Sequence, residues 1–324
     1  MFSIIIPLYN KAHTIINTLN TVFNQTCQDF EIIIVNDGST DNSLQLIRQN
    51  FNDKRIKIIN QENAGVSAAR NKGIQESQGD WISFLDGDDE WLPDYLKETQ
   101  KAIRDYPKAT IIMTGRYVQN YASHKRYSNI PTKHLNKISE INYFENPHVY
   151  SHISATTVKA SILKQYFESW GRFIEGQKSN EDFTFLYRIA LHEQVVYIGK
   201  ALSIYNGNVS NQTTSTIKDQ KVLEDYVLFN NTVINEYRNI NKKNKTFEIF
   251  MKYAFRHNIL RYLKERKYEN IKYILTNLTN SSLNILTYTF EYRLFLTQTL
   301  NKLAISYILL TKLVWRTHKY PRIK

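Results

Sequence analysis

The chain has 324 residues, with 42 Lys plus Arg, 30 Asp plus Glu and a single cysteine. A hydrophobic content of 42%, with 13% aromatic residues, is enough to form a large core and argues against global disorder. One cysteine excludes an internal disulfide framework and a thiolate zinc cluster, and it fits a reducing compartment.

The positive charge is concentrated at the C-terminal end of the chain. Residues 1–240 contain 25 basic and 26 acidic side chains, whereas residues 241–324 contain 17 basic and only 4 acidic ones. The basic excess is therefore a property of the last quarter of the chain.

The N-terminal sequence indicates a cytoplasmic protein. It lacks the basic region and cleavage site of a signal peptide. The most apolar late run, residues 303–315, is interrupted by Thr311 and Lys312 and is shorter than the ~20 residues that a membrane span needs. We expect a cytoplasmic location, with peripheral attachment to the inner face of the membrane as the alternative.

Short β-branched runs alternate with amphipathic segments in the first third of the chain. The strand-like runs are residues 2–6, 30–35, 56–59, 81–85 and 110–113. Helical spacing of apolar residues occurs between them, most clearly over 11–24, 64–77 and 93–105. This alternation predicts an α/β fold with a mostly parallel sheet that helices cover on both faces.

The later part of the chain is less regular and then becomes helical. Residues 181–191 have helical spacing, residues 194–198 resemble a strand, and residues 206–216 form a polar, glycine-containing loop sequence. From residue 217 onward there is no further glycine, and long stretches show helical periodicity. The sequence predicts an α/β domain over 1–215 and a basic, aromatic-rich α-helical region over 216–324.

Acidic residues follow two of the predicted strands. Asp37 comes after the second strand, and Asp86, Asp88 and Asp89 come after the fourth. Ligands of parallel α/β sheets bind at these strand ends. Mg²⁺ or Mn²⁺ favours carboxylate oxygens as ligands, and a substrate phosphate completes the coordination of the ion. Gly87, which has no side chain, allows the backbone to approach a ligand closely. Each motif alone is also typical of an ordinary turn, but two on neighbouring strands favour a binding site.

Four segments in this order resemble the family 2 glycosyltransferases, which have the GT-A fold. They are SIIIPLYN (3–10), EIIIVNDGSTDNS (31–43), NAGVSAARNKG (63–73) and ISFLDGDDEW (82–91), with a weaker continuation in NEDFTFLYRI (180–189). The resemblance covers roughly residues 1–205. It implies an inverting, metal-dependent transfer of a sugar from a nucleotide-diphosphate donor, a UDP-sugar, to a hydroxyl of a glycan or lipid-linked acceptor in surface polysaccharide synthesis.

The resemblance also implies roles for individual residues. The positions that it places around the nucleotide sugar are Pro7, Tyr9, Asn10, Asp37, Arg70, Asp86 and Gly87. Asp37 would bind the base, and Arg70 would lie near the nucleotide or diphosphate. Asp86 would contact the ribose and the Mg²⁺ or Mn²⁺ ion, with Asp88 as the principal metal ligand. An arginine on a helix also often does no more than pair with a nearby carboxylate, which is the alternative role for Arg70. We interpret Lys11 as a solvated surface residue.

A general base must accept the proton of the attacking hydroxyl. In the family this base belongs to an acidic pair late in the catalytic domain, which Glu181 and Asp182 match. The resemblance therefore implies Asp182 as the base, with Glu181 supporting it or contacting the acceptor. Acidic residues in a first helical turn are otherwise explained by the helix dipole alone.

Three interpretations apply to the basic, aromatic-rich end of the chain. It can be an ordinary helical core with a solvated basic face, a surface for an anionic membrane through residues 303–324, or a surface for nucleic acid. A lipid-linked acceptor favours the membrane over nucleic acid. The aromatic helices could also pack against a second copy of the chain, so a homo-oligomer is a further possibility.

Two other functions compete with sugar transfer. The first is nucleotidyl transfer on a similar α/β sheet, against which the absence of glycine from PLYNKAH (7–13) counts, since that reaction needs a glycine-rich phosphate loop. The second is nucleic-acid binding by the basic end, against which the acidic turns count.

Overall fold

The computed structural model describes residues 1–207, 218–240 and 243–316. The chain divides into two compact units, the first comprising Met1–Asn142 and His148–Thr216 and the second comprising Tyr143–Pro147 and Ile217–Lys324. The domain boundary predicted near residue 215 lies outside the described residues, as does most of the predicted loop 206–216.

The first unit is built on one sheet, to which ten strands contribute in the described part of the chain. They are β1 (Phe2–Leu8), β2 (Phe30–Asp37), β3 (Ile56–Gln61), β4 (Trp81–Phe84), β5 (Glu90–Trp91), β6 (Ile111–Asn120), β7 (Arg126–Ser128), β8 (Ile138–Ile141), β9 (Thr156–Lys159) and β10 (Val195–Gly207). The main path runs β3-β2-β1-β4-β9-β6-β10-β5, with β7 paired to β6 and β8 to β10.

The first four strands of the main path form a parallel half-sheet. β1 pairs in parallel with β2 and β4, and β2 pairs in parallel with β3. Every residue of β1 is buried, as expected for a β-branched strand covered on both faces. The predicted α/β class and its first four strands are confirmed.

The other half of the sheet is mixed. β6 and β10 are parallel, but β9 lies antiparallel between β4 and β6, and β5, β7 and β8 are also antiparallel to their partners. These added strands are short, and β7 is exposed throughout. They therefore lack the apolar runs or alternation by which a strand can be predicted.

Seven helices belong wholly or partly to the described part of the first unit. They are α1 (Ile15–Phe23), α2 (Ser43–Asn50), α3 (Val66–Glu76), α4 (Tyr95–Asp105), α5 (Pro147–Tyr150), α6 (Ala160–Gln165) and α7 (Glu181–His192).

Helices cover both faces of the sheet. Ile4 and Ile32 pack in one cluster with Leu19 of α1, whereas Ile33 packs with Ala69 of α3. Successive residues of a strand point to opposite faces, so these clusters lie on opposite sides.

The described part of the second unit is helical, as predicted. Its helices are α8 (Asp219–Asn239), α9 (Lys245–Lys264), α10 (Tyr268–Asn277), α11 (Asn280–Leu286), α12 (Thr289–Leu296) and α13 (Asn301–Arg316). Phe247, Phe250 and Phe255 of α9 are fully buried. Across the described residues, we find no helix with the length and apolar character needed to cross a membrane.

Candidate active site

Residues 86–89, which we call the acidic loop, follow β4 at the carboxyl edge of the parallel half-sheet. Asp89 is almost completely buried, and Asp88 is mostly buried. Burial raises the pKa of the Asp88 carboxyl, and a nearby Asp86 adds to that effect while Lys11 opposes it. Burial and the two neighbouring carboxylates raise the pKa of Asp89 further. The loop thus brings three carboxyl groups together where water cannot fully solvate their charged forms.

Side chains from other elements hold the acidic loop in place. Thr14 Oγ1 donates a hydrogen bond to the Gly87 carbonyl at 2.8 Å, and Thr18 Oγ1 donates to the Asp89 carbonyl at 2.9 Å. Ser154 Oγ donates to Asp89 Oδ2 at 2.6 Å. The loop is therefore fixed by α1 on one side and by the turn before β9 on the other.

Arg70 connects the acidic loop to the predicted base. Its Nη2 donates to Asp86 Oδ1 at 2.7 Å, and its Nη1 donates to Asp182 Oδ1 at 2.6 Å. The side chain is only 2% exposed, so both ion pairs are shielded from solvent on the arginine side. α3 places this guanidinium between two carboxylates that are distant in sequence. The structure therefore gives Arg70 two carboxylate partners, the pairing that we noted as its alternative role.

The acidic pair Glu181–Asp182 occupies the first turn of α7, after Asn180 in the left-handed conformation (φ 59°). Burial, aided by the Asp182 charge, raises the pKa of Glu181 to about 8. Burial also raises the pKa of Asp182 to about 6, although Arg70 opposes this shift. The Asp182 side chain keeps 29% of its surface exposed. It is therefore a carboxylate that a substrate can reach and that is ionised at neutral pH.

Lys11 is not the solvated surface residue that the sequence suggested. Its Nζ lies 2.5 Å from Asp88 Oδ2, and its side chain is only 15% exposed. The two residues are 77 positions apart, and sequence inspection misses such a pair because no local pattern links them. Attraction to the buried Asp88 carboxylate explains the position of Lys11.

The residues predicted to line the nucleotide pocket lie at the end of β1. Pro7 is buried within β1, while Tyr9 is exposed beyond it. Asn10 has a positive φ of 51°, and its Oδ1 accepts a hydrogen bond from the Thr40 backbone N–H at 2.8 Å. This contact joins the segments that follow β1 and β2, so residues 7–10 and Asp37 lie at the same edge of the sheet.

Asp37 is buried and organises the segment before α3. Its Oδ1 accepts hydrogen bonds from Gln61 Nε2 at 2.7 Å and the Ala64 N–H at 2.8 Å, and its Oδ2 accepts from the Gly65 N–H at 2.9 Å. Each carboxylate oxygen has two acceptor sites. Asp37 therefore retains acceptor capacity beyond these three bonds.

A divalent cation fits the acidic loop only if a ligand completes its coordination. Within the described ranges, no three His, Cys, Asp or Glu side chains are grouped so that they could hold a metal ion. Asp86 and Asp88 supply two carboxylates, and Mg²⁺ commonly binds one or two carboxylates with substrate phosphates and water in its other positions. The crowded carboxylates of the loop suit a cation of this kind.

Comparison with known proteins identifies the family. Residues 3–167 match the family model described as Glycosyl transferase family 2. The uncharacterized glycosyltransferase RT0329 of Rickettsia typhi is 31% identical over 228 residues, covering 70% of this chain and 69% of the relative. The chain therefore belongs to glycosyltransferase family 2, which confirms the resemblance of its motifs.

Several relatives extend well beyond the matched region. Glycosyltransferase GlyA of Streptococcus pneumoniae is 31% identical over 210 residues, which cover 63% of this chain but 30% of GlyA. The putative glycosyltransferase EpsH of Bacillus subtilis is 41% identical over 104 residues, 32% of this chain and 30% of EpsH. The match thus covers less than a third of the length of each of these relatives.

Solved structures share the fold over nearly the whole chain. S. aureus TarS 1-349 in complex with UDP-GlcNAc has a TM-score of 0.73 at 19% identity, and the match covers 99% of this chain and 93% of the TarS 1-349 chain. The same protein in complex with UDP has a TM-score of 0.69. This likeness confirms the predicted fold class, a GT-A-like α/β sheet with a helical C-terminal region.

Proposed function

We propose that the protein is an inverting, metal-dependent glycosyltransferase that moves a sugar from a UDP-sugar to a hydroxyl group, with residues 1–215 as its catalytic domain. The observation that carries this proposal is the buried Arg70, which pairs with Asp86 of the acidic loop and with Asp182 of α7. One guanidinium thus sets the spacing between a donor-side carboxylate and a candidate base. Family membership and the UDP complexes of TarS support the same activity.

On the acceptor side, Asp182 is the general base. The acceptor hydroxyl attacks the anomeric carbon and gives its proton to the Asp182 carboxylate. A carbon–oxygen bond forms on one face of the sugar as the bond to the diphosphate breaks on the other, and the bonding electron pair leaves with UDP. This single displacement inverts the anomeric centre. Glu181, whose raised pKa keeps it protonated at neutral pH, can donate a hydrogen bond to the acceptor.

On the donor side, the acidic loop and the end of β1 bind the nucleotide sugar. Asp37 binds the base, and Pro7, Tyr9 and Asn10 surround the nucleoside. Asp86 would contact the ribose, and Asp86 and Asp88 would hold a Mg²⁺ or Mn²⁺ ion. Such an ion supplies Lewis-acid stabilisation of the leaving diphosphate.

The decisive experiment is a donor screen. Release of nucleoside diphosphate from a panel of nucleotide sugars is measured with Mg²⁺, with Mn²⁺ and with a chelator, and UDP binding is measured separately by calorimetry. We expect UDP release from one donor, lost with the chelator and in Asp88→Ala. Lys72→Ala is the matched control, since Lys72 is 41% exposed and pairs with Glu76. Undetectable UDP binding together with a silent panel would reject the proposal.

The cellular role that we propose is surface polysaccharide synthesis at the inner face of the cell membrane, with a lipid-linked or glycan acceptor. The excess of 17 basic over 4 acidic side chains in residues 241–324 supports attachment to anionic lipid. Leu303 and Leu310 of α13 are 59% and 65% exposed, so apolar surface accompanies the charge. Lys319, Arg322 and Lys324, which belong to the predicted membrane segment 303–324, lie outside the described residues.

A further inference from the structure

Asn206, near the end of β10, joins that strand to the acidic loop. It is 1% exposed. Its backbone N–H donates to Asp89 Oδ1 at 3.1 Å, and its Nδ2 donates to the Asp88 carbonyl at 2.9 Å and to Glu90 Oε1 at 3.0 Å. One residue thus contacts three consecutive positions that follow Gly87.

The amide of Asn206 is itself held in one orientation. Gln119 Nε2 on the neighbouring β6 donates to Asn206 Oδ1 at 3.0 Å, so the amide oxygen faces Gln119 and the amide nitrogen faces the acidic loop. All these partners are buried or partly buried. A buried polar network whose members are bonded to one another is rigid.

Asp89 extends the network across the loop. Its Oδ1 accepts from Asn206 and its Oδ2 from Ser154, whose Oγ in turn accepts a hydrogen bond from the Asp86 backbone N–H at 3.1 Å. His152 Nε2 lies 3.4 Å from Asp89 Oδ2. Both carboxylate oxygens of Asp89 therefore bind protein groups, and the residue acts as a structural link between the two ends of the loop.

We propose that Asn206 is a positioning residue that sets where the Asp88 carboxylate stands for the donor diphosphate. It fixes the Asp88 carbonyl directly and the end of the loop through Asp89. The inference rests on the proposed function, because it assumes that the acidic loop receives the diphosphate and its metal ion. Groups that orient metal ligands typically contribute about 10- to 100-fold to metal affinity or activity.

The test is Asn206→Asp, which keeps the shape but turns the amide donor into an oxygen that faces the Asp88 carbonyl and the Glu90 carboxylate. We expect the Kd of the full chain for UDP in the presence of Mn²⁺, measured by calorimetry, to rise about 10- to 100-fold. Binding of uridine, which lacks the diphosphate, should stay within about twofold when followed by ligand-observed NMR. A general loss of structure would weaken both ligands.

Asn129→Asp is the matched control. Asn129 is a buried asparagine of the same unit, and its Nδ2 donates to the Val149 carbonyl at 3.3 Å. We expect this variant to bind UDP with the wild-type affinity. Hydrogen exchange without nucleotide gives a second measurement, since Asn206→Asp should speed exchange of the amides at 86–89 and Asn129→Asp should not.

Two results separate this inference from the function on which it rests. If wild-type protein binds UDP with Mn²⁺ and folded Asn206→Asp binds it as tightly, the inference is wrong. If wild-type protein binds no UDP, the proposed function fails first. Asn206→Ala removes the same hydrogen-bond donor without adding charge, and it is the variant to use if Asn206→Asp does not fold. Unchanged UDP affinity of Asn206→Ala would equally overturn the inference.

Discussion

At the scale of single residues, Asp182 carries the acceptor half of the proposed reaction. Asp182→Asn keeps an oxygen for the Arg70 hydrogen bond but cannot take a proton. We expect kcat to fall at least about 100-fold, because a positioned general base typically contributes 10²- to 10⁴-fold. The Kd for the sugar donor should stay within about threefold, since the proposed donor site lies on the acidic-loop side of Arg70. Steady-state kinetics and calorimetry measure the two quantities.

Glu181→Gln is the control for that substitution, because it alters the neighbouring acid and leaves Asp182 intact. A smaller loss of kcat is expected from it. Near-wild-type transfer by Asp182→Asn would assign the base to another residue.

The pH dependence follows from the same carboxylate. Because burial raises the pKa of Asp182 to about 6, the base is ionised above that pH and protonated below it. We therefore expect kcat to fall as the pH is lowered, by about tenfold for each pH unit well below 6. The measurement is kcat between pH 5 and 8 at saturating donor and metal. A rate that stays constant down to pH 5 would contradict the role of Asp182 as base.

At the scale of elements, the close approach of α3 to β1 places Arg70. A Cβ added to Gly73 would lie 2.4 Å from Ile5 Cγ2, so Gly73→Ala must displace either α3 or Ile5. Overpacking of a core usually lowers the free energy of unfolding by about 1–3 kcal/mol. The gain in helix propensity, about 1 kcal/mol, offsets part of this loss, so we expect a net decrease of up to about 2 kcal/mol. Urea denaturation measures the balance.

Gln75→Ala is the matched helix substitution, because Gln75 is an exposed residue of the same helix. We expect its unfolding free energy to stay within about 0.5 kcal/mol of the wild type. If Gly73→Ala were more stable than the wild type, the contact between α3 and β1 would be looser than the structure indicates.

At the scale of the whole molecule, we propose that the basic excess attaches the chain to an anionic membrane. We expect the full chain to sediment with vesicles that contain anionic lipid and to be released by salt, since each basic side chain near such a surface contributes about 1 kcal/mol. Removal of residues 303–324 should reduce this binding. A milder variant is Leu303→Glu with Leu310→Glu, which places acidic groups on two exposed positions of α13.

The matched control for the vesicle experiment is neutral lipid. Equal recovery with neutral and anionic vesicles, or undiminished binding by the truncated chain, would contradict membrane attachment through this segment. Glu265→Gln, a change at an exposed position of the same unit, should leave the binding unchanged.

The sequence by itself determined the class of fold and the family, and it predicted which acidic residues form the candidate site. Strand runs with local periodicity predicted the parallel half-sheet, and Asp37, Asp86, Asp88 and the pair Glu181–Asp182 were recognisable because each belongs to a contiguous motif. Such signals are local, and a local pattern survives in a linear string of letters.

Only the tertiary structure decided how those groups are connected. Arg70 and Asp182 are 112 residues apart, Lys11 and Asp88 are 77 apart, and Asn206 and Asp88 are 118 apart. No periodicity encodes these pairs, because they are created when separate strands and helices meet at one edge of the sheet. The short antiparallel strands likewise depend on pairing with distant neighbours. Contacts between distant segments arise from packing, which is why the residues that hold the acidic loop could be found only in the folded chain.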